Sequence, residues 1–197
     1  LITARAVWGF WPAARDGDDV IIYEDEQRQQ QASRLFHLRQ QTDKPNNKAN
    51  LCLSDFVAPA DGPADYIGGF VVTAGIGVDA LAKQWEQEHN DYDSILLKAL
   101  ADRLVESLAE WLHRKIRTED WGYAANEQCS SQELIRESYR GIRPAPGYPS
   151  CPDHTEKRTL FNLLDANRHT GVELTEHLAM HPASSVSGLP WASTTRP

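Results

Sequence analysis

Along the first third of the chain the apolar positions fall in short runs separated by turn residues, the pattern of strands. Arg5 to Trp11 is rich in β-branched and aromatic side chains and stops at Pro12, and Val20 to Tyr23 is a second apolar run. Asp16-Gly17-Asp18-Asp19 between them is a turn signal, so the two runs predict a β-hairpin. Glu24 to Gln41 holds no Gly or Pro and is filled with Gln, Arg and Ala, which predicts a helix over about Glu26 to Arg39. Leu51, Leu53 and Phe56-Val57 predict a strand closed by Pro59, with Asp61-Gly62-Pro63 as the next turn. Tyr66 to Thr73 is a continuous apolar run with two glycines, the mark of a strand buried on both faces and closely approached by another backbone.

Beyond that run the period changes from two to about 3.6. Val78 to His89 predicts one helix and Tyr92 to Arg117 a longer one. On the second, Leu97, Leu100, Ala101, Leu104, Leu108, Trp111 and Leu112 are expected to form a single stripe packed on the sheet. Asp102, Glu106 and Glu110 recur at i, i+4 on its far side, where a charge run reads first as a solvated face. Ser130 and Glu133 make a capping box that opens a short helix through Leu134, Ile135 and Tyr139 to Gly141. Asp153-His154-Thr155-Glu156 reads as a second capping box, before a helix with Leu160, Phe161, Leu163 and Leu164 on its apolar side and an end at Asn167 to Gly171. Val172, Leu174, Leu178 and Met180 alternate as a strand, with Val186 in another. Hairpin strands with separate helices predict an α+β fold with a mainly antiparallel, twisted sheet and flanking helices. No G-x-G-x-x-G suggests a Rossmann-type methyltransferase.

The segment that stands outside this periodicity is Gly141-Ile142-Arg143-Pro144-Ala145-Pro146-Gly147-Tyr148-Pro149. Three prolines exclude regular helix and central strand and predict a stiff, extended loop whose carbonyls are left for a ligand. Arg143 can clamp a carboxylate or phosphate, Gly147 admits a ligand to the backbone, and Tyr148 offers a ring to stack on. Against this stands the plainer reading of a Pro-rich connector with a solvated arginine.

Lys and Arg number 20 and Asp and Glu 28, a net charge of −8 that disfavours nucleic-acid partners. No apolar run reaches the roughly 18 residues of a membrane span, so a soluble, cytoplasmic, monomeric protein is expected. Three cysteines without C-x-x-C spacing argue against a disulfide framework. Cys151 and His154, with Cys52 and His169, offer a conceivable zinc set, and Cys151 with His154 a nucleophile and base. The first lacks regular ligand spacing and the second is as well explained by helix-start hydrogen bonding, so no metal and no catalytic side chain is expected.

R-x-x-x-G-Y, Arg143 to Tyr148, resembles the S-adenosylmethionine signature of the reactivation domain of cobalamin-dependent methionine synthase. WGFWPA from Trp8, LRQQTDK from Leu38, LCLSDFVAP from Leu51, DYIGGFVVTAG from Asp65, LLKALADRLVESLAEWLH from Leu96, WGYA from Trp121 and LTEHLAM from Leu174 resemble that family in the family's order. The resemblance implies an S-adenosylmethionine site formed by Arg143, Ala145, Gly147 and Tyr148 with the carboxylates of Glu106 and Glu137. It implies methyl transfer to cobalamin held by another domain of the same enzyme, after reduction by a flavodoxin-type donor. Residues 1–188 are expected to be a partial domain lacking the family's opening segment, and 189–197 a divergent tail. The start at Leu1 is expected to reflect a piece of a longer chain. The alternative, from a different class, is a docking module that binds no ligand.

Overall fold

The computed structural model describes residues 2–45 and 48–192. Its centre is a five-stranded antiparallel sheet in the order β3-β2-β1-β4-β7, made of β1 (Thr3–Asp16), β2 (Asp19–Tyr23), β3 (Gln31–Phe36), β4 (Asp65–Ile76) and β7 (Ser185–Gly188). The β1–β2 hairpin turns at the expected Asp16 to Asp19. Pro12, which has no N–H to give, lies where β2 pairing begins, at Ala13 opposite Ile22.

β4 is buried on both faces because helices cover both. Ile67 and Val71 face α4 (Glu156–Leu164) and α5 (Ala166–Thr170), in a core with Leu160, Leu164 and Trp191. Phe70, Val72 and Ala74 face α2 (Asp91–Lys115) and meet Val105, Ala109, Leu112 and the following Ile116. The period of two along the strand thus feeds two separate cores. Gly69 is the close approach: a Cβ there would stand 2.5 Å from Leu160 Cδ1. α1 (Val78–Gln87) packs beside α2, and α3 (Ser131–Ile135) opens on the Ser130–Glu133 capping box, with Ser130 N–H donating to Glu133 Oε2 at 2.8 Å.

Several expectations are corrected. The helix over Glu26 to Arg39 is replaced by the strand β3, because Leu35 is buried against the sheet and Arg34 bridges Asp16 and Asp19 across the hairpin. Tertiary pairing overrides helix-favouring composition there. The strand at Leu51 to Val57 is a short 3-10 turn, Leu53–Phe56, which Asp55 fixes by accepting from Cys52 N–H at 2.9 Å. The stripe on α2 is rotated: Ala101, Val105, Ala109 and Leu112 are buried, whereas Leu100, Leu104 and Trp111 are 52%, 60% and 56% exposed. Small residues let the helix lie close to the sheet, and the larger ones stand aside. α3 stops at Ile135, short of Tyr139 and Gly141, and Glu137 takes a left-handed φ of +52°. The second capping box does not form: Asp153 Oδ1 accepts from Thr155 N–H, and Glu156 turns inward to accept from Phe36 N–H at 3.1 Å. Residues 167–170 continue as α5, and Val172 to Met180 fold back as a two-stranded pair, β5 (Glu173–Leu174) and β6 (Met180–His181). Of the expected tail 189–197, Leu189 and Trp191 are nearly inaccessible, and residues 193–197 lie outside the described residues. Among the described residues no helix is long and apolar enough to cross a membrane.

Candidate functional site

The proline segment is extended only at its start. Ile142 exchanges two hydrogen bonds with Trp191 at 3.1 and 3.0 Å, and Leu189 N–H donates to Pro144 O at 2.9 Å. The chain then turns: Tyr148 N–H donates to Ala145 O at 3.3 Å, Gly147 N–H to Cys151 O at 2.7 Å, and Cys151 N–H to Tyr148 O at 2.9 Å. The expectation that its carbonyls are left free is therefore corrected, since Pro144 and Ala145 each spend one lone pair inside the fold. Gly147 has φ +98°, and a Cβ there would meet the His154 ring, with Nδ1 at 2.8 Å. That ring is pinned in turn: its Nδ1 lies 3.0 Å from Lys157 Nζ, which also donates to Leu178 O at 3.1 Å. Burial pushes the Lys157 ammonium below its ordinary pKa.

A cleft of about 960 Å³ opens beside this loop. Glu106, Glu137, Arg143, Ala145, Gly147 and Tyr148 all line it, so residues spread over more than 40 positions border one cleft. Glu106 is on the exposed side of α2 but not on a surface turned away from the loop. Two guanidiniums border the cleft and they differ. Arg39 is consumed by Asp18 and Asp55, donating to both from Nη2 at 2.6 and 2.8 Å and to Asp55 again from Nη1, which raises its pKa further. Among the described residues Arg143 makes a single ion pair, Nη2 to Glu110 Oε2 at 3.5 Å, and its buried Nε has no hydrogen-bond partner. Tyr148 is 62% exposed, a ring ready to be covered.

Behind Arg143 lies a buried cluster. Arg117 is fully inaccessible, donates from Nε and Nη2 to Glu127 at 2.8 and 2.7 Å, and lies over the Tyr139 ring at 3.7 Å. His113 meets the same ring edge-on at 5.2 Å; burial first, then the charges of Arg117 and Arg143, hold its pKa down at about 2, so it stays neutral. Burial, seconded by Glu110, raises Tyr139 to about 12. Cys151 is likewise pushed up to about 12 by burial, which leaves it a thiol and a poor nucleophile. Among the described residues no group of three or more His, Cys, Asp or Glu side chains is placed to hold a metal ion.

Residues 1–196 match the family described as vitamin B12 dependent methionine synthase, activation domain. The chain belongs to that family. A solved structure, titled as the MetH reactivation domain bound to AdoHcy, is 54% identical and superposes with a TM-score of 0.96. It covers the whole of this chain, while the chain spans 60% of that structure's length.

In this activation domain Glu110, Arg117, Tyr139 and Lys157 carry roles that sequence reasoning missed, and His154, read there only as a zinc ligand or base, lies against the loop at Gly147. Glu110 sits one turn beyond Glu106 on the same acidic ridge, and that spacing was the one signal that could have marked it. Arg117 reads in sequence as a helix end, and nothing local announces that it is buried.

Proposed function

We propose that this domain binds S-adenosylmethionine in the cleft and presents its methyl group to cobalamin, so as to reactivate a cobalamin-dependent methionine synthase. The observation that carries the reading is Arg143: a guanidinium bordering a roomy cleft, with a buried Nε that lacks a hydrogen-bond partner among the described residues, in a domain whose 54% identical relative is described as bound to AdoHcy. The residues fit such a ligand. Arg143 takes its carboxylate by a charge-assisted, two-pronged contact. Glu106 and Glu137 offset the ammonium and sulfonium charges. The Tyr148 ring covers the adenine, and Gly147 lets it approach the backbone. The chemistry itself is supplied by the bound groups: a methyl carbon activated by positive sulfur, and a cobalt nucleophile on another domain of the enzyme, reduced by a flavodoxin-type donor. What this chain contributes is orientation, which can be worth roughly 7 to 11 kcal/mol. No side chain has to move a proton.

Calorimetric titration of S-adenosylmethionine and S-adenosylhomocysteine into the full-length protein tests this. Arg143→Ala is expected to weaken both by about ten- to a hundredfold, with Arg143→Lys recovering little. Primary methionine synthesis should start normally and fail to recover once the cobalamin is oxidised. Unchanged binding and recovery in Arg143→Ala would refute the assignment. The second reading, a docking module without ligand, draws on the apolar ridge of Leu100, Leu104 and Trp111, left exposed on α2; it predicts no binding heat from the unsubstituted protein.

A further inference from the structure

A lone arginine on a loop samples many rotamers, and ordering it costs side-chain entropy. Arg143 is not lone. The Glu110 carboxylate lies between two guanidiniums, Oε1 3.7 Å from Arg117 Nη1 and Oε2 3.5 Å from Arg143 Nη2. Arg117 cannot follow its partner about, because it is fully buried, doubly bonded to Glu127 and stacked on Tyr139. Glu127, Arg117, Glu110 and Arg143 thus form a series of alternating sign that begins in the interior and ends at the cleft. Its inner charges are compensated without drawing on Arg143's remaining donors.

The character of the outer contacts is the informative part. Glu110 Oε1, Arg117 Nη1 and Arg143 Nε are buried and have no hydrogen-bond partner among the described residues, and the two separations from Glu110 exceed charge-assisted hydrogen-bond lengths. Arg39, which also lines the cleft, shows what a consumed guanidinium looks like, with donors spent on two aspartates at 2.6 to 2.9 Å. Glu110 attracts the Arg143 guanidinium and sets its direction while leaving its donors for something else. We propose that Glu110 is the positioning residue for Arg143, aiming its guanidinium at the ligand's carboxylate with the buried Arg117–Glu127 pair as its fixed support. The proposal rests on the S-adenosylmethionine reading and deepens it. Removing a carboxylate beside the anchor should by itself attract an anion more strongly, and the loss of direction outweighs that gain.

The test is Glu110→Gln in the full-length protein, a substitution of the same shape at a side chain that is 28% exposed, so the fold tolerates it. Two probes are titrated: S-adenosylmethionine and its decarboxylated analogue, which keeps the sulfonium, ammonium and adenosine. Glu110→Gln is expected to weaken S-adenosylmethionine by roughly three- to tenfold and leave the analogue unchanged. Unchanged or tighter S-adenosylmethionine binding, or an equal loss for both probes, overturns the positioning role while Arg143→Ala still reports on the site. If neither probe binds the unsubstituted protein, both the site assignment and this inference are wrong.

Discussion

Replacing Gly147 by Ala should be the sharpest single perturbation of the loop that leaves its charges untouched. At φ +98° an alanine is strained by about 1 to 2 kcal/mol. Its methyl would also be driven into the His154 ring, whose Nδ1 is 2.8 Å from that position and which cannot swing aside without leaving Lys157 Nζ. Displacing the ring strips a buried ammonium of one of two partners, worth roughly 1 to 3 kcal/mol. The sum is about 2 to 5 kcal/mol, a fall in melting temperature of roughly 5 to 15 °C for a chain of this length. Chemical denaturation of Gly147→Ala, His154→Ala and the double variant separates the contributions. In the His154→Ala background the Gly147→Ala cost should shrink to the backbone strain alone, a coupling of about 1 to 3 kcal/mol. Strictly additive losses would show that His154 does not buttress the turn, and the account of the loop's stiffness would fail with it.

Glu156 is buried at the start of α4, and burial lifts its carboxyl from 4.5 to about 7, with only Phe36 N–H pulling the other way. The native state therefore holds this proton more tightly than the unfolded chain, so the group's contribution to stability is full below about pH 4.5 and is lost as pH rises to 7. Glu156→Gln keeps the acceptor for Phe36 and should flatten that slope, raising stability at pH 8 by up to about 3 kcal/mol in denaturant titrations; an unchanged slope would contradict it. Trp191 is 1% exposed and packs edge-on against His37 and Phe56, so Trp191→Ala should cost about 3 to 5 kcal/mol and loosen the Ile142 end of the loop, read as faster hydrogen exchange at Ile142 N–H.

Where local pattern and tertiary demand agree, the sequence was readable. The Asp16–Asp19 turn, the doubly buried run of β4, the starts of α1 and α2 and the Ser130 capping box all follow from neighbours in the chain. β3 did not, because Gln and Arg suit a helix and only the partner Val20 makes Leu35 a strand residue. The contact face of α2 was missed for a related reason: Ala101 and Ala109 carry little hydrophobic weight, yet their smallness sets the helix-to-sheet distance. In the cleft, the loop residues announce themselves through proline spacing and R-x-x-x-G-Y. The charge series behind Arg143 does not, since Glu110, Arg117 and Glu127 meet only after folding.

Arg143 is proposed to anchor the carboxylate of an S-adenosylmethionine-type ligand in this cleft. A crystal structure of the protein with S-adenosylhomocysteine tests it most directly. The account predicts the ligand carboxylate within about 3 Å of the Arg143 guanidinium, Glu106 and Glu137 on the amine side, and Tyr148 against the adenine. A ligand bound with its carboxylate directed away from Arg143, or lodged outside the cleft, would contradict it.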